Sequence, residues 1–262
     1  MLTLHTFASG SEGNCLLISA GQTHILLDAG ISYKRIKASL AELGLCMEDV
    51  DAILITHEHS DHICGLATLV KHHQIPIYAT AATGRQLAYR TAGIEPLLHH
   101  IAAGDVFGVG ELKVTVFPTS HDAADSVDYR FDCNGSIGVL TDTGYVTDEA
   151  AEILTGVDLL VLESNHDVEW LKSGPYPYPL QQRILGDYGH LSNDAAARFA
   201  VQMAQQGTRQ FVLAHLSREN NTPQRALETV SCAVAKFGAA VCVTPRGELS
   251  CAYQTEVTVC RK

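Results

Sequence analysis

The chain has 262 residues, 46% of them hydrophobic and 18% charged, which is enough material for the core of one α/β or two-sheet domain. A formal charge of -11 argues against a protein that grips nucleic acid through a general basic surface, but not against an anionic substrate, because bound divalent cations reverse the local field. Eight cysteines without a C-x-x-C pair, and an opening MLTLHTFASGSEGN with no basic or long apolar stretch, lead us to expect a cytoplasmic protein with free thiols and no membrane span.

In chain order, short apolar runs with β-branched residues predict strands over Leu2 to Phe7, Cys15 to Ile18 and His24 to Leu27. Between the first two lies ASGSEGN, a turn of small polar residues. Its Ser9, Ser11 and Asn14 are candidates to meet a phosphate, alongside backbone N–H groups. Asp28 follows the third run at once. A helix is expected over Tyr33 to Leu43, then a strand over Ala52 to Ile55, and then THEHSDH at positions 56 to 62. A helix from Ile63 to His72, a strand from Ile75 to Ala79 and a strand from Leu112 to Phe117 come next. His72-His73 and His99-His100 read as ordinary surface histidines.

Strands are further expected over Ser136 to Leu140, Leu159 to Leu162, Gln210 to Ala214, Ala240 to Val243 and Leu249 to Tyr253. The helices between them are Asp148 to Leu154, with an acidic first turn, Asn193 to Gln206, and Thr222 to Phe237, which opens on a Thr-Pro cap. The Pro-, Tyr- and Gly-rich stretch from Ser173 to Tyr188 reads as an irregular excursion. It carries Arg183, a candidate phosphate contact like Arg218. It also carries Tyr176 and Tyr178, which either stack on bases or pack.

Six apolar runs each end on an acid or imidazole: Asp28, His57, His121, Asp142, Glu163 and His215. Neighbouring strands would make these residues converge. His57 and His59 face the same way in extended backbone, and Asp61 and His62 come where the chain turns into a helix. Imidazole and carboxylate together suit Zn²⁺, Mn²⁺ or Fe. Two such ions need about eight ligand positions. His57, His59, Asp61, His62, His121, Asp142 and His215 supply them if one residue bridges.

THEHSDH, with Asp28, His121, Asp142 and His215 in order, resembles the metallo-β-lactamase fold superfamily. More narrowly, ASGSEGNC, LLDAG, TDTG, LESNHD, GHLSN and AHLSRENN resemble the bacterial WalJ/YycJ group, which is linked to double-stranded DNA exonuclease activity and DNA repair. The resemblance implies an αββα four-layer sandwich of two mixed sheets, as one domain over residues 1–262. It implies a first metal on His57, His59 and His121, a second on Asp61, His62 and His215, and Asp142 bridging them. Asp28 would support the metal loop by hydrogen bonding. Paired ions share a water and bring its pKa toward neutrality, so that hydroxide is the nucleophile, and Asp61 would orient it.

The Glu163 and GHLSN pattern resembles transfer-RNA 3′-processing enzymes of the same fold, which implies that Glu163 and His190 together move a proton to the leaving group. His166 either touches substrate or packs. Only 73 residues separate Asp142 from His215, too few for the cap domain of β-CASP nucleases. The leading expectation is a 5′-3′ exonuclease on DNA. The alternative is a small ester or thioester hydrolase of the glyoxalase II type.

Overall fold

The computed structural model describes residues 2–255, so Cys260 lies outside the described residues. The first half begins with an antiparallel meander, β1 (Leu2–Ala8), β2 (Cys15–Ala20) and β3 (Thr23–Leu27). Three strands are then added in parallel: β4 (Ala52–Leu54), β5 (Ile77–Thr80) and β6 (Leu98–Ile101). The second half repeats the plan. The meander is β7 (Val106–Val109), β8 (Leu112–Pro118), β9 (Val127–Asp132) and β10 (Ser136–Leu140). The parallel additions are β11 (Leu159–Glu163), β12 (Gln210–Ala214) and β13 (Ala240–Val243). A short β14 (Tyr253–Gln254) crosses back to pair with β1. The result is two seven-stranded mixed sheets.

The parallel strands are joined by helices, because a parallel crossover needs a covering element. On the first sheet these are α1 (Tyr33–Glu42), a single turn α2 (Ser60–Ile63), α3 (Leu66–His72) and α4 (Ala81–Arg90). On the second they are α5 (Asp148–Leu154), α6 (Val168–Ser173), α7 (Tyr178–Leu185), α8 (Asn193–Gln205) and α9 (Pro223–Val234). Three buried apolar layers hold the stack together. One, with Leu4, Ile25, Val114, Tyr129 and Val161, lies between the sheets. The others pack the outer sheet faces on the helices, around Ile36, Leu69 and Leu87 on one side and Leu154, Phe199 and Val230 on the other. This is the expected four-layer α/β sandwich. Among the described residues no helix is long and apolar enough to cross a membrane.

Several elements depart from the sequence reading. The stretch expected to be irregular contains α7, begun by Pro177 and Pro179, since proline is at home in a helix's first turn. The helix expected from Ile63 to His72 is split at Cys64 and Gly65. There the Gly65 N–H donates to the Ala29 carbonyl (2.8 Å), and a Cβ would collide with the Ile31 carbonyl. The strands β6, β7 and β9 and the helices α4 and α6 were not anticipated. The last expected strand, Leu249 to Tyr253, shrinks to the two residues of β14.

Candidate metal centre

The crevice lies at the ends of parallel strands, where the turns following β3, β4, β10, β11 and β12 meet. Asp28, Asp142 and His215 each have a positive φ (60°, 50° and 55°), a left-handed conformation that is costly for a residue with a side chain. At each, the strand has just ended, and the reversal of backbone hand turns the side chain toward the crevice.

Each turn is clamped by a buried acceptor. Asp28 accepts from the Thr56 N–H (2.9 Å), fixing the residue before His57. Asp128, within β9, accepts from the Thr141 N–H (2.8 Å), the residue before Asp142. Glu163 Oε2 accepts from the N–H groups of Thr143 and Leu191 (both 3.1 Å). The Ser9 hydroxyl accepts from the His215 N–H (2.8 Å). Burial pushes the Asp128 carboxyl well above the usual range, against the pull of the Thr141 N–H.

The imidazoles are oriented in the same way. His62 Nδ1 lies 2.7 Å from Asp28 Oδ2, and His215 Nδ1 lies 2.9 Å from Glu163 Oε1. His57 Nδ1 lies 3.0 Å from the Thr56 hydroxyl, and His121 Nδ1 lies 3.3 Å from the Gly189 carbonyl. With Nδ1 engaged, Nε2 of His57, His121 and His215 is left for the centre, the arrangement that fixes a metal-ligating tautomer, while His62 Nε2 also lies 3.0 Å from the Asn14 side-chain amide.

Among the described residues four groupings emerge, in each of which the candidate ligand atoms lie within 4.8 Å of one another: His57, His59 and His121; Asp61, His62 and His215; His57, His62 and Asp142, which links the first two; and Asp142, Glu163, His190 and His215. The first two coincide with the triads implied by the resemblance.

The donor set fits divalent cations. His57 Nε2 and His59 Nδ1 face each other at 3.1 Å, and the His57 and His62 ring centroids are 4.1 Å apart. Among the described residues, buried Asp142 Oδ2 and His215 Nε2 make no hydrogen bond. Buried lone pairs without partners are costly, and a cation at the centre would satisfy them. Charge balance agrees. Burial holds His57 neutral, well below its usual range, as a ligand requires. Burial also opposes the charged forms of His62 and His215. The Asp28 and Asp142 carboxylates outweigh it at His62, and Asp142, Asp61 and Glu163 together outweigh it at His215, raising the latter to about 10. These rings therefore sit in a strongly negative field that attracts protons or metal ions.

A β-lactamase superfamily domain model matches residues 23–216. The chain belongs to the metallo-β-lactamase superfamily. It is 39% identical over 232 residues to the exodeoxyribonuclease YycJ of Bacillus anthracis, covering 88% of each chain. It is 40% identical over 227 residues to the exodeoxyribonuclease WalJ of Streptococcus pneumoniae serotype 2 (strain D39), covering 85% of this chain and 84% of that one. Among solved structures, the metallo-β-lactamase fold protein YhfI from Bacillus subtilis superposes with a TM-score of 0.71 at 19% identity, covering 95% of this chain and 98% of that one.

Other residues singled out in the sequence find varied places in this metallo-β-lactamase crevice. His190 Nδ1 lies 2.8 Å from Glu163 Oε1, and the ring borders an open cleft. Glu163 is fully buried with both oxygens engaged, so it reaches the cleft only through the histidines it holds. Of the substrate candidates, Ser11 and Arg183 line the cleft. Ser9 instead holds His215, as described. Asn14 turns inward, its Nδ2 3.0 Å from His62 Nε2 and 3.3 Å from Asp61 Oδ2. His166 is 1% exposed and does not line the cleft. Arg218 pairs with Glu12 at 2.8 Å. Glu58 stays out of the cluster and accepts from the Ala124 N–H (2.9 Å). His72, His99 and His100 are exposed, and the half-buried His73 meets the Tyr33 hydroxyl at 2.7 Å.

Sequence reading missed Asp122 and Asp128. Asp122 Oδ1 lies 3.6 Å from His121 Nε2 and 3.9 Å from His59 Nε2, and the one hint is its place directly after a strand-end histidine. Asp128 sits inside a strand, where an acid gives no such signal.

The glycine of LLDAG also finds a reason. The Gly30 N–H donates to the Asn14 carbonyl (2.8 Å), and a Cβ would run into the Asp61 carbonyl. Gly30→Ala should displace the Asp61–His62 turn and weaken the second triad's metal affinity by about 10–100-fold. Competition titration with a chelating indicator checks this, and an unchanged affinity would mean that the turn is not sterically set by Gly30.

Proposed function

We propose that this chain is a phosphodiesterase that uses two divalent metal ions to degrade DNA from the 5′ end. The reading treats residues 1–262 as one domain working in the cytoplasm, where the free thiols of the seven described cysteines would persist. Its relatives in Bacillus anthracis and Streptococcus pneumoniae carry the name exodeoxyribonuclease. The observation that carries it is the pairing of one buried carboxylate, Glu163 Oε1, with two imidazoles: His215 in the ligand cluster and His190 at the cleft. Such a device couples metal binding to a proton donor, and a diester with a poor alkoxide leaving group needs both.

His57, His59 and His121 would hold one ion and Asp61, His62 and His215 the other, with Asp142 shared. Zinc, manganese and iron all suit this donor set. When bound, the ions supply Lewis-acid charge that makes hydroxide available near neutral pH and offsets the charge of the phosphodiester. Asp61, whose side chain is 22% exposed, orients the attacking water. His190, kept charged by Glu163, gives its proton to the departing sugar oxygen. Glu163 holds that ring at its Nδ1 edge, leaving Nε2 as the nitrogen that reaches the substrate.

The test is metal-loaded protein on 5′-phosphorylated duplex DNA, bis-p-nitrophenyl phosphate and S-lactoylglutathione, in parallel. Hydrolysis of both phosphodiesters, with shortening of the duplex from its 5′ ends, is expected. Turnover of the thioester alone would replace this reading with a glyoxalase II type activity.

A further inference from the structure

The wall of the cleft beside the metal centre is built in an unusual way. The helix α7 buries none of its residues. Leu180, Arg183 and Ile184, at spacing i, i+3, i+4, form one stripe of it, and that stripe faces the cleft. Tyr176 just before the helix and Tyr188 just after it extend the same wall. Apolar side chains on a helix normally face a core. Here they face open space of about 190 Å³ whose floor includes His121 and His190. The opposite wall is polar, with Asn165 and Ser217. The wall is preformed: the Ser120 hydroxyl donates to the Asp187 carbonyl (2.8 Å), and the His190 N–H donates to the Ile184 carbonyl (3.1 Å). Both anchors tie it to the loops that carry His121 and His190.

Among the described residues lining this cleft, Arg183 is the one Lys or Arg, in a chain of net charge -11. Its Nε donates to Asp122 Oδ2 (2.6 Å), and its side chain is 60% exposed. The guanidinium thus sits at the metal end of the cleft with donors to spare, in the fork geometry that suits phosphate.

We propose that the cleft between α7 and the metal centre is a pocket for a single unpaired nucleotide at a DNA strand end, its base against the Tyr176–Tyr188 wall and its phosphate at Arg183. An apolar and aromatic face beside a guanidinium that keeps donors free of its pair with Asp122 complements one base and one phosphate. The space is far too small for a duplex, so the terminal pair opens before the strand enters. The inference rests on the phosphodiesterase reading and adds to it the unit that is gripped. It also explains how an acidic chain holds DNA: stacking and one arginine take the place of a basic groove.

The test is a cycle of protein and substrate changes, with KM measured from initial rates of the first cut. Wild-type protein and the Tyr176→Ala/Tyr188→Ala double variant are each given an intact duplex and one with an abasic residue at every strand terminus. The wild type should show a KM about tenfold higher for the abasic ends, and the double variant should bind both kinds of end equally weakly. Leu180→Asp, which changes the same wall without touching a tyrosine, should give the same pattern. A wild type indifferent to the terminal base, or variants that still discriminate tenfold, would overturn the pocket. Should the wild type cut neither duplex, the phosphodiesterase reading fails by itself. Equilibrium dialysis with thymidine 5′-monophosphate then decides the pocket: binding about tenfold weaker in the double variant supports it, and equal binding removes it.

Discussion

His190→Ala should lower kcat on duplex DNA by about 10²–10⁴-fold and leave the metal content of the protein unchanged. The ring is absent from both triads, although it shares a candidate ligand group with Asp142, Glu163 and His215, and it is held at 2.8 Å by the carboxylate that also holds His215. Burial works against its charged form, but Glu163 outweighs burial and keeps the imidazole above its ordinary range. Its protonated form therefore persists to higher pH than that of an ordinary imidazole, and kcat should fall as pH rises through that raised value. The variant should lose this alkaline limb. The sharper measurement compares leaving groups. A sugar alkoxide needs a proton as it departs and p-nitrophenolate does not, so bis-p-nitrophenyl phosphate hydrolysis should be far less affected. Equal losses on both substrates would give His190 a structural role, and loss of metal would make it a ligand.

Asp28→Ala should destabilise the protein by about 3–5 kcal/mol, the usual cost of removing one partner of a buried ionic pair. Asp28 is 2% exposed, and its carboxylate accepts from the Thr56 N–H, from the Thr56 hydroxyl and from His62. None of these donors has water to turn to. Asp28 also has a φ of 60°, which alanine tolerates poorly. Asp28→Gly separates the two effects: it keeps the loss of the acceptor, removes the strain and should cost less. Urea unfolding in the presence of a chelator measures both variants, and a metal titration should show about 10–100-fold weaker binding at the second triad. A cost for Asp28→Ala below about 1 kcal/mol would mean that the Thr56–His62 turn holds itself in place without the carboxylate.

How far the sequence could be read depended on which interaction formed each part. The helix α5 falls on its expected bounds because Thr147 caps it and two acids occupy its first turn, all local signals. Strands between two covered faces, such as β10 and β11, were visible as continuous apolar runs. The edge strands β6 and β7 were not, because an edge with exposed His99, His100 and Val106 carries no apolar run. β9 was hidden by its own acids, since the inward Asp128 breaks the pattern in order to hold Thr141. The ligand cluster could be read because strand ends must carry polar residues somewhere, and six such ends carried acids or imidazoles. The clamps could not be read. That Ser9 holds His215 and that Asn14 faces His62 are contacts across distant segments, and a serine or asparagine in a turn looks the same whether it faces inward or outward. The excursion before His190 was misjudged because its prolines were taken as breakers when they begin a helix.

The two sheets contribute unequally to the crevice. His57, His59, Asp61 and His62 follow β4 in the first, and His121, Asp142 and His215 follow β8, β10 and β12 in the second. A chain emerging from the ribosome exposes the THEHSDH segment early, but the last histidine arrives only after most of the second sheet has been made. A product that stops before His215 therefore lacks the full cluster, and any chemistry that needs all seven candidate ligands is withheld until that residue has been made.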